Sequence, residues 1–87
     1  MASYRLVFRQ SVAKDLRAIP KQDVARILKA IEALAEDPRA MVCEKLSGQE
    51  RYRVRQGQYR IVYEIADQDL IVTVVRVGNR RDVYRNR

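Results

Sequence analysis

The stretch that decides the fold spans residues 51–64 and reads RYRVRQGQYRIVYE. On both sides of Gly57-Gln58, apolar or aromatic residues alternate with polar ones, which is the period of a β-strand. A two-residue connection with glycine first is typical of a tight hairpin turn. The sequence therefore predicts two antiparallel strands, residues 51–56 and 59–65.

A turn at these two residues fixes which side chains lie opposite each other. Arg55 then faces Arg60, and Arg51 faces Glu64. One face of the hairpin carries the residues that belong against a core: Tyr52, Val54, Ile61 and Tyr63. The opposite face carries four arginines: Arg51, Arg53, Arg55 and Arg60.

The rest of the chain predicts two helices and two more strands. Residues 3–9 form a first strand, and Ser11 is the expected N-cap of a short helix. Pro20 is expected in the first turn of a second helix, which ends at Asp37-Pro38. That helix has an apolar stripe at helical spacing: Val24, Ile27, Leu28, Ile31, Leu34 and Ala35.

Residues 39–50 then form a connection, and Asp67-Gln68 joins the hairpin to a last strand, 70–77. The element order is β-α-α-β-β-β, followed by a short basic C-terminal tail. We expect an α+β fold in which the N-terminal strand and the helical hairpin pack on one face of a largely antiparallel sheet.

Composition limits what such a chain can do. The 87 residues include one cysteine and no histidine, which excludes an internal disulfide, histidine-based nucleophile pairs and most zinc sites. The uncharged run 70–75 is far shorter than the roughly 20 residues that span a bilayer, and no secretory signal is evident. We expect a cytoplasmic protein with one domain, residues 1–87, and no membrane partner.

The charge is concentrated in the second half of the chain. The net charge is +7, and residues 51–87 hold nine arginines, no lysine and four acidic residues. Guanidinium groups bind phosphate in a bidentate manner, although a GC-rich genome would also favour arginine. Like charges placed opposite each other destabilise a sheet, so the Arg55 and Arg60 pair favours an anion site over a merely solvated face.

The chemistry of arginine indicates which reaction this site would suit. Arginine is a poor general base but stabilises a developing phosphate anion, and RNA supplies its own nucleophile in the 2′-hydroxyl. A metal-free ribonuclease without a cofactor is therefore expected. The candidate catalytic residues are Arg53, Arg55, Arg60, Arg80 and Tyr84, and the candidate RNA-binding residues are Arg51, Arg76 and Arg81.

Two of these assignments have alternatives. The last strand should end beside the Gly57 turn, where either Arg80 or Arg81 can join the cluster. Tyr84 could stack on a base or handle a proton, and it could equally be a C-terminal anchor packed on the sheet.

Four motifs in this order resemble the RelE-like toxins of the RelE/ParE superfamily, over nearly the whole chain. They are Lys45-Leu46-Ser47-Gly48, Tyr52-Arg53-Val54-Arg55, residues 57–63 (GQYRIVY) and residues 77–84 (VGNRRDVY). The resemblance implies the toxin half of a toxin–antitoxin pair, which enters the ribosomal A site and cleaves mRNA by 2′-hydroxyl attack without a metal.

The resemblance also implies roles and partners. Arg53 and Arg55 match two basic residues that are lysines in the best-known members, and Arg60, Arg80 and Tyr84 match the remaining site residues. Implied partners are a cognate, acidic antitoxin, the ribosome with its mRNA, and operator DNA only through the antitoxin complex. Competing interpretations are a ParE-like gyrase inhibitor, which shares the fold, and a non-catalytic nucleic-acid-binding module.

Overall fold

The structure, a computed structural model, describes residues 3–39, 44–46 and 51–79, with the backbone alone described for 44–46. The chain order of its elements is β-α-α-β-β-β-β. The two helices are α1 (Gln10–Arg17) and α2 (Lys21–Glu36). The strands are β1 (Arg5–Phe8), β2 (Glu44–Leu46), β3 (Arg51–Gln56), β4 (Tyr59–Ala66) and β5 (Ile71–Asn79).

The strands form a single sheet in the order β1-β5-β4-β3-β2. The outer strand β1 runs parallel to β5, and the neighbouring pairs β5–β4, β4–β3 and β3–β2 are antiparallel. The predicted α+β class with a largely antiparallel sheet is confirmed. Strand β2 was not predicted, because three residues inside the connection 39–50 are too few to show a strand period.

The predicted hairpin is confirmed in register as well as in extent. Arg55 pairs with Arg60, Val54 with Ile61 and Arg51 with Glu64. Gly57 has a φ of +63°, which is the left-handed conformation that favours glycine. Gln58 does not share this positive φ, as expected of the turn type that needs glycine at its first central position.

The connection between β4 and β5 lies one residue later than the predicted strand bounds placed it. Ala66 pairs with Ile71, so four residues, 67–70, form the loop instead of Asp67-Gln68 alone. Leu70 belongs to this loop, with a φ of +53°, and is not the first residue of the strand. Strand β4 ends at Ala66 instead of Ile65, and β5 begins at Ile71 instead of Leu70 and extends to Asn79 instead of Val77.

The helices cover one face of the sheet and form the core with it. Ile27, Ile31 and Leu34 of α2 are buried against the sheet, and Val12 of α1 is fully buried. The predicted stripe is wrong at Leu28, which is 36% exposed at the margin of the helix face. From the sheet, the core takes alternate residues of the three central strands: Tyr52, Val54, Tyr59, Ile61, Tyr63, Ile65, Val72, Val74 and Val77.

The predicted helix starts need correction. Arg9, and not Ser11, precedes α1, and it makes no side-chain capping bond. The Arg9 amide still donates to the Val74 carbonyl at 3.0 Å, so β1 passes directly into the helix at Arg9, and Ser11 lies inside the first turn. Pro20 lies one position earlier than predicted, immediately before α2.

A β-bulge shapes the end of β5 that approaches the Gly57 turn. Val62 pairs with Arg76, and Tyr63 with Val74, so Val75 is an extra residue on β5. Beyond the last residue of β1, helix α1 continues along β5, and the Asp15 carboxylate accepts a hydrogen bond from the Val77 amide at 3.1 Å. This contact fixes the backbone of β5 just before Gly78 and Asn79.

Candidate functional site

The face of the sheet opposite the helices carries most of the predicted site residues. We call it the arginine face; its arginines on β3, β4 and β5 are Arg51, Arg53, Arg55, Arg60 and Arg76. Their register places them in rows that cross β3, β4 and β5. The row nearest the Gly57 turn is Arg55–Arg60–Gly78, the next is Arg53–Val62–Arg76, and the third is Arg51–Glu64–Thr73.

Arg60 is the buried member of this face. It lies on the central strand β4 and is only 8% exposed, whereas its register partner Arg55 is exposed. An arginine is rarely buried to this degree because desolvating the guanidinium group is unfavourable. A buried cation beside a second cation creates a local positive potential that suits a phosphate.

The third row contains Glu64, the carboxylate of this face whose side-chain contacts are described; in the second row, the register of β2 places Glu44 opposite Arg53. Arg51 donates from Nε to Glu64 Oε2 at 2.8 Å, and both side chains are about one-third exposed. Arg9, at the end of β1, approaches the other carboxylate oxygen at 3.8 Å. The sequence register predicted the pairing of Arg51 with Glu64, but the approach of Arg9 was missed, since it depends on parallel pairing between β1 and β5.

Three predicted site residues, Arg80, Arg81 and Tyr84, lie outside the described residues. β5 ends at Asn79, which pairs with Tyr59 next to the hairpin turn. The predicted position of the strand end beside Arg55 and Arg60 is therefore confirmed for Gly78 and Asn79. The roles of the three later residues stay predictions.

A second polar cluster lies at the end of the sheet away from the Gly57 turn. Arg39 forms two hydrogen bonds to the Asp67 carboxylate, at 2.9 and 2.8 Å, and Tyr4 donates a third at 2.9 Å. The Arg39 guanidinium also lies over the ring of Tyr52, 5.3 Å from its centroid, and donates to its hydroxyl at 3.2 Å. Tyr52 in turn stacks on Tyr63, whose hydroxyl donates to the Pro38 carbonyl at 2.6 Å.

These contacts shift the protonation equilibria of the cluster. The hydrogen bonds from Arg39 and then Tyr4 lower the pKa of Asp67 from 3.8 to about 2. The same carboxylate raises the pKa of Arg39 and that of the Tyr4 hydroxyl above their usual values. The cluster ties the segment after α2 to the β4–β5 loop, and we interpret it as structural because it is fully paired and lies far from the Gly57 turn.

Neither a metal cluster nor a membrane-spanning helix is found in the described part of the chain. No group of three or more Cys, Asp or Glu side chains in residues 3–39 and 51–79 is placed to hold a metal ion. No described helix is long and apolar enough to cross a bilayer.

Comparison with known proteins identifies the family. Residues 6–84 match the family described as the ParE toxin of type II toxin-antitoxin system, parDE. Toxin RelG of Mycobacterium tuberculosis is 29% identical over 86 residues, which cover 94% of this chain and 97% of that protein.

Two solved structures show the same fold. The toxin–antitoxin complex RelBE2 from Mycobacterium tuberculosis matches with a TM-score of 0.80 and 26% identity, over 90% of this chain and 99% of the other. The archaeal RelE–RelB complex from Pyrococcus horikoshii matches with a TM-score of 0.76 and 25% identity, over 90% and 96% of the two chains. The chain therefore belongs to the ParE toxin family of type II toxin–antitoxin systems. Within the wider RelE/ParE superfamily it is RelE-like, as the sequence motifs predicted.

Proposed function

We propose that this toxin is a ribosome-dependent endoribonuclease that cleaves mRNA in the ribosomal A site. In the proposed reaction, the ribose 2′-oxygen attacks the adjacent phosphorus and the bond from phosphorus to the 5′-oxygen breaks. The products are a 2′,3′-cyclic phosphate and a 5′-hydroxyl end. One proton leaves the 2′-hydroxyl, and one is delivered to the departing 5′-oxygen.

The observation that carries the proposal is the pair of rows nearest the Gly57 turn. They bring Arg55 and the buried Arg60 opposite each other, with Arg53 and Arg76 in the next row. Preorganised cations in a partly desolvated site stabilise the charge that develops on the phosphate in the transition state. In the proposal, Arg60 and Arg55 hold the scissile phosphate, and Arg53 and Arg76 hold the neighbouring backbone.

Proton transfer requires groups other than these arginines. Guanidinium groups stay protonated near neutral pH and cannot accept the 2′-hydroxyl proton. The three described tyrosines of β3 and β4 all lie on the helix side of the sheet. By resemblance we assign proton handling to Tyr84 and further anion stabilisation to Arg80, which follows directly after Asn79 in the chain.

We also propose a cognate antitoxin as the partner that silences the toxin. The relatives RelBE2 and the Pyrococcus RelE were solved as complexes with their antitoxins. A net charge of +7, concentrated in the second half of this chain, favours an acidic antitoxin segment. Contact with operator DNA would then occur through the antitoxin complex.

A second candidate function is inhibition of DNA gyrase, because the matching family carries the ParE description. The two functions predict different products. Programmed ribosomes incubated with the purified toxin should yield mRNA cut in the A-site codon, while gyrase supercoiling should proceed normally. Inhibited supercoiling with intact mRNA would select the second function and overturn the first.

The chemistry is tested with a modified messenger. A 2′-deoxy nucleotide placed immediately 5′ of the scissile phosphate removes the proposed nucleophile and should abolish cutting at that position. An unmodified messenger on the same ribosomes is the control. Continued cutting of the deoxy messenger at the same bond would contradict 2′-hydroxyl attack.

A further inference from the structure

The row of the arginine face that lies farthest from the Gly57 turn contains a carboxylate, Glu64. Glu64 is the carboxylate of this face whose side-chain contacts are described: it accepts a hydrogen bond from Arg51 at 2.8 Å and lies 3.8 Å from Arg9. The register of β2 also places Glu44 opposite Arg53 in the second row. The Arg51 contact joins two half-buried side chains, and it is stronger than the longer contact to the more exposed Arg9. Glu64 therefore neutralises charge in the third row, mainly that of Arg51.

The position of Glu64 rules it out as a base for a phosphate held in the first row. Glu64 lies four positions after Arg60 on β4, a distance of about 13 Å along the strand. A general base must lie within hydrogen-bonding reach of the proton that it removes. What Glu64 offers the anion site is therefore its charge and its contacts with Arg51 and Arg9.

The first row lacks such a carboxylate. Arg55 has no ion pair, and in the next row Arg76 has none either, within residues 3–39 and 51–79. These two arginines, Arg55 and Arg76, therefore lie in the first two rows, and the paired Arg51 lies in the third. An RNA backbone lying across the face would meet Arg55 in the first row and Arg76 in the second, and a carboxylate bound to Arg51 in the third.

We propose that Glu64 sets the boundary of the RNA-binding surface by withholding Arg51 and Arg9 from phosphate. The inference rests on the proposed ribonuclease function, and it makes Glu64 a positioning residue that favours one placement of the RNA backbone. It also revises the predicted role of Arg51: in the wild-type toxin this arginine binds Glu64, and it contacts RNA only when that carboxylate is removed.

The test uses Glu64→Gln, which keeps the shape of the side chain and removes its charge. Binding of a 2′-O-methyl RNA oligonucleotide, which the proposed mechanism cannot cut, is measured by fluorescence anisotropy across a range of salt concentrations. Glu64→Gln should bind about three- to tenfold more tightly, because one or two guanidinium groups become available to phosphate. The dependence of log K on log salt should steepen by about 0.7 for each additional phosphate that the variant binds.

A double-mutant cycle identifies the released group. Arg51→Ala should change RNA affinity little in the wild-type background, and it should remove most of the increase in affinity in the Glu64→Gln background. Mapping of cut sites on programmed ribosomes should also show a broader set of positions for Glu64→Gln. Equal losses from Arg51→Ala in both backgrounds, or an unchanged affinity of Glu64→Gln, would overturn the proposal.

The control Arg55→Ala separates this inference from the proposed function. If Arg55→Ala weakens RNA binding and Glu64→Gln has no effect, the boundary role is wrong and the RNA site stands. If the wild-type protein binds no RNA and cuts no mRNA, the proposed function itself fails. Thermal melting of each variant shows whether a change in affinity follows from unfolding.

Discussion

A guanidinium group that is 8% exposed on a central strand carries a desolvation cost, and at Arg60 the register partner is a second arginine. A side chain selected for stability alone would be apolar here, as Val62 is two residues later on the same face. Large departures from stability rules are concentrated at functional sites, where the unfavourable group has a use. This makes Arg60 the residue whose removal should separate activity from stability most cleanly.

We expect Arg60→Met to lower single-turnover cleavage on programmed ribosomes by about 10²–10³, because one preorganised donor to the developing anion is lost. Methionine fills similar space without a charge, so the melting temperature should hold or rise. Arg17→Met is the matched control: Arg17 is an exposed residue of helix α1, and this variant should keep full activity. A large fall in melting temperature with retained cleavage would instead give Arg60 a structural role.

At the scale of single residues, most of the described site could be predicted from the hairpin. Side-chain alternation and a two-residue turn are enough to place Arg55 opposite Arg60 and Arg51 opposite Glu64. The burial of Arg60 could not be predicted in this way, because it depends on the strands that flank β4. The contact of Arg9 with Glu64 could not be predicted either, because it crosses β5 and no local sequence pattern indicates such a contact.

At the scale of elements, the β3–β4 hairpin holds the arginine rows in register, and its turn depends on Gly57. A Cβ built at Gly57 would meet no atom within 4 Å, so space does not restrict this position. The φ of +63° does restrict it, because L-residues, unlike achiral glycine, are strained there. The backbone requirement can therefore be measured without interference from packing.

We expect Gly57→Ala to lower the free energy of unfolding by about 1–2 kcal/mol, the usual cost of placing an L-residue in left-handed conformation. Gly57→Asn should cost less, because asparagine tolerates this region better. Urea denaturation followed by circular dichroism measures both values. Equal stability of all three proteins would mean that the turn can rearrange, and the register of the arginine rows would then need another explanation.

The cluster of Arg39, Asp67 and Tyr4 at the other end of the sheet predicts that the stability of the fold depends on pH in the acid range. Hydrogen bonds from Arg39 and Tyr4 lower the pKa of Asp67 from 3.8 to about 2. Since the folded-state value lies below the unfolded one, the contribution of Asp67 to stability is present above about pH 4 and is lost as the pH falls toward 2. Asp67→Asn should therefore show a shallower loss of stability than the wild type over this interval.

The measurement is the urea midpoint at several pH values between 2 and 5, an interval chosen around the two Asp67 values. Asp69→Asn is the matched control, because Asp69 lies in the same loop and has no ion pair among the described residues. Its pH profile should follow that of the wild type. Parallel profiles for all three proteins would show that the Arg39–Asp67 contact contributes nothing to acid stability in solution.

The helices and strands were predicted well where the pattern of apolar residues repeats several times. Helix α2 and strands β3 and β4 have near-correct bounds because each shows several repeats of its period. The short strand β2, the four-residue loop 67–70 and the start of α1 were missed or shifted. Each of these is fixed by contacts across the sheet, such as the Arg9 amide bonding to Val74, and local sequence does not report them.

At the scale of the whole molecule, charge has two possible effects on RNA binding. The net charge of +7 attracts any polyanion, wherever the basic residues lie. The arginine face adds local phosphate contacts, of which four are proposed: Arg53, Arg55, Arg60 and Arg76. Only the second effect depends on which arginine is removed, so matched substitutions on the two faces can separate them.

We expect log K for a 2′-O-methyl RNA to fall with log salt with a slope of about −3, from four phosphate contacts at roughly 0.7 each for single-stranded RNA. Arg55→Ala and Arg76→Ala should each make this slope shallower by about 0.7, since each removes one phosphate-binding group. Arg17→Ala and Arg26→Ala remove the same charge from exposed helix positions and should leave it unchanged. Equal changes in all four variants would mean that net charge alone attracts RNA to the toxin. The arginine face would then not be a specific phosphate-binding site.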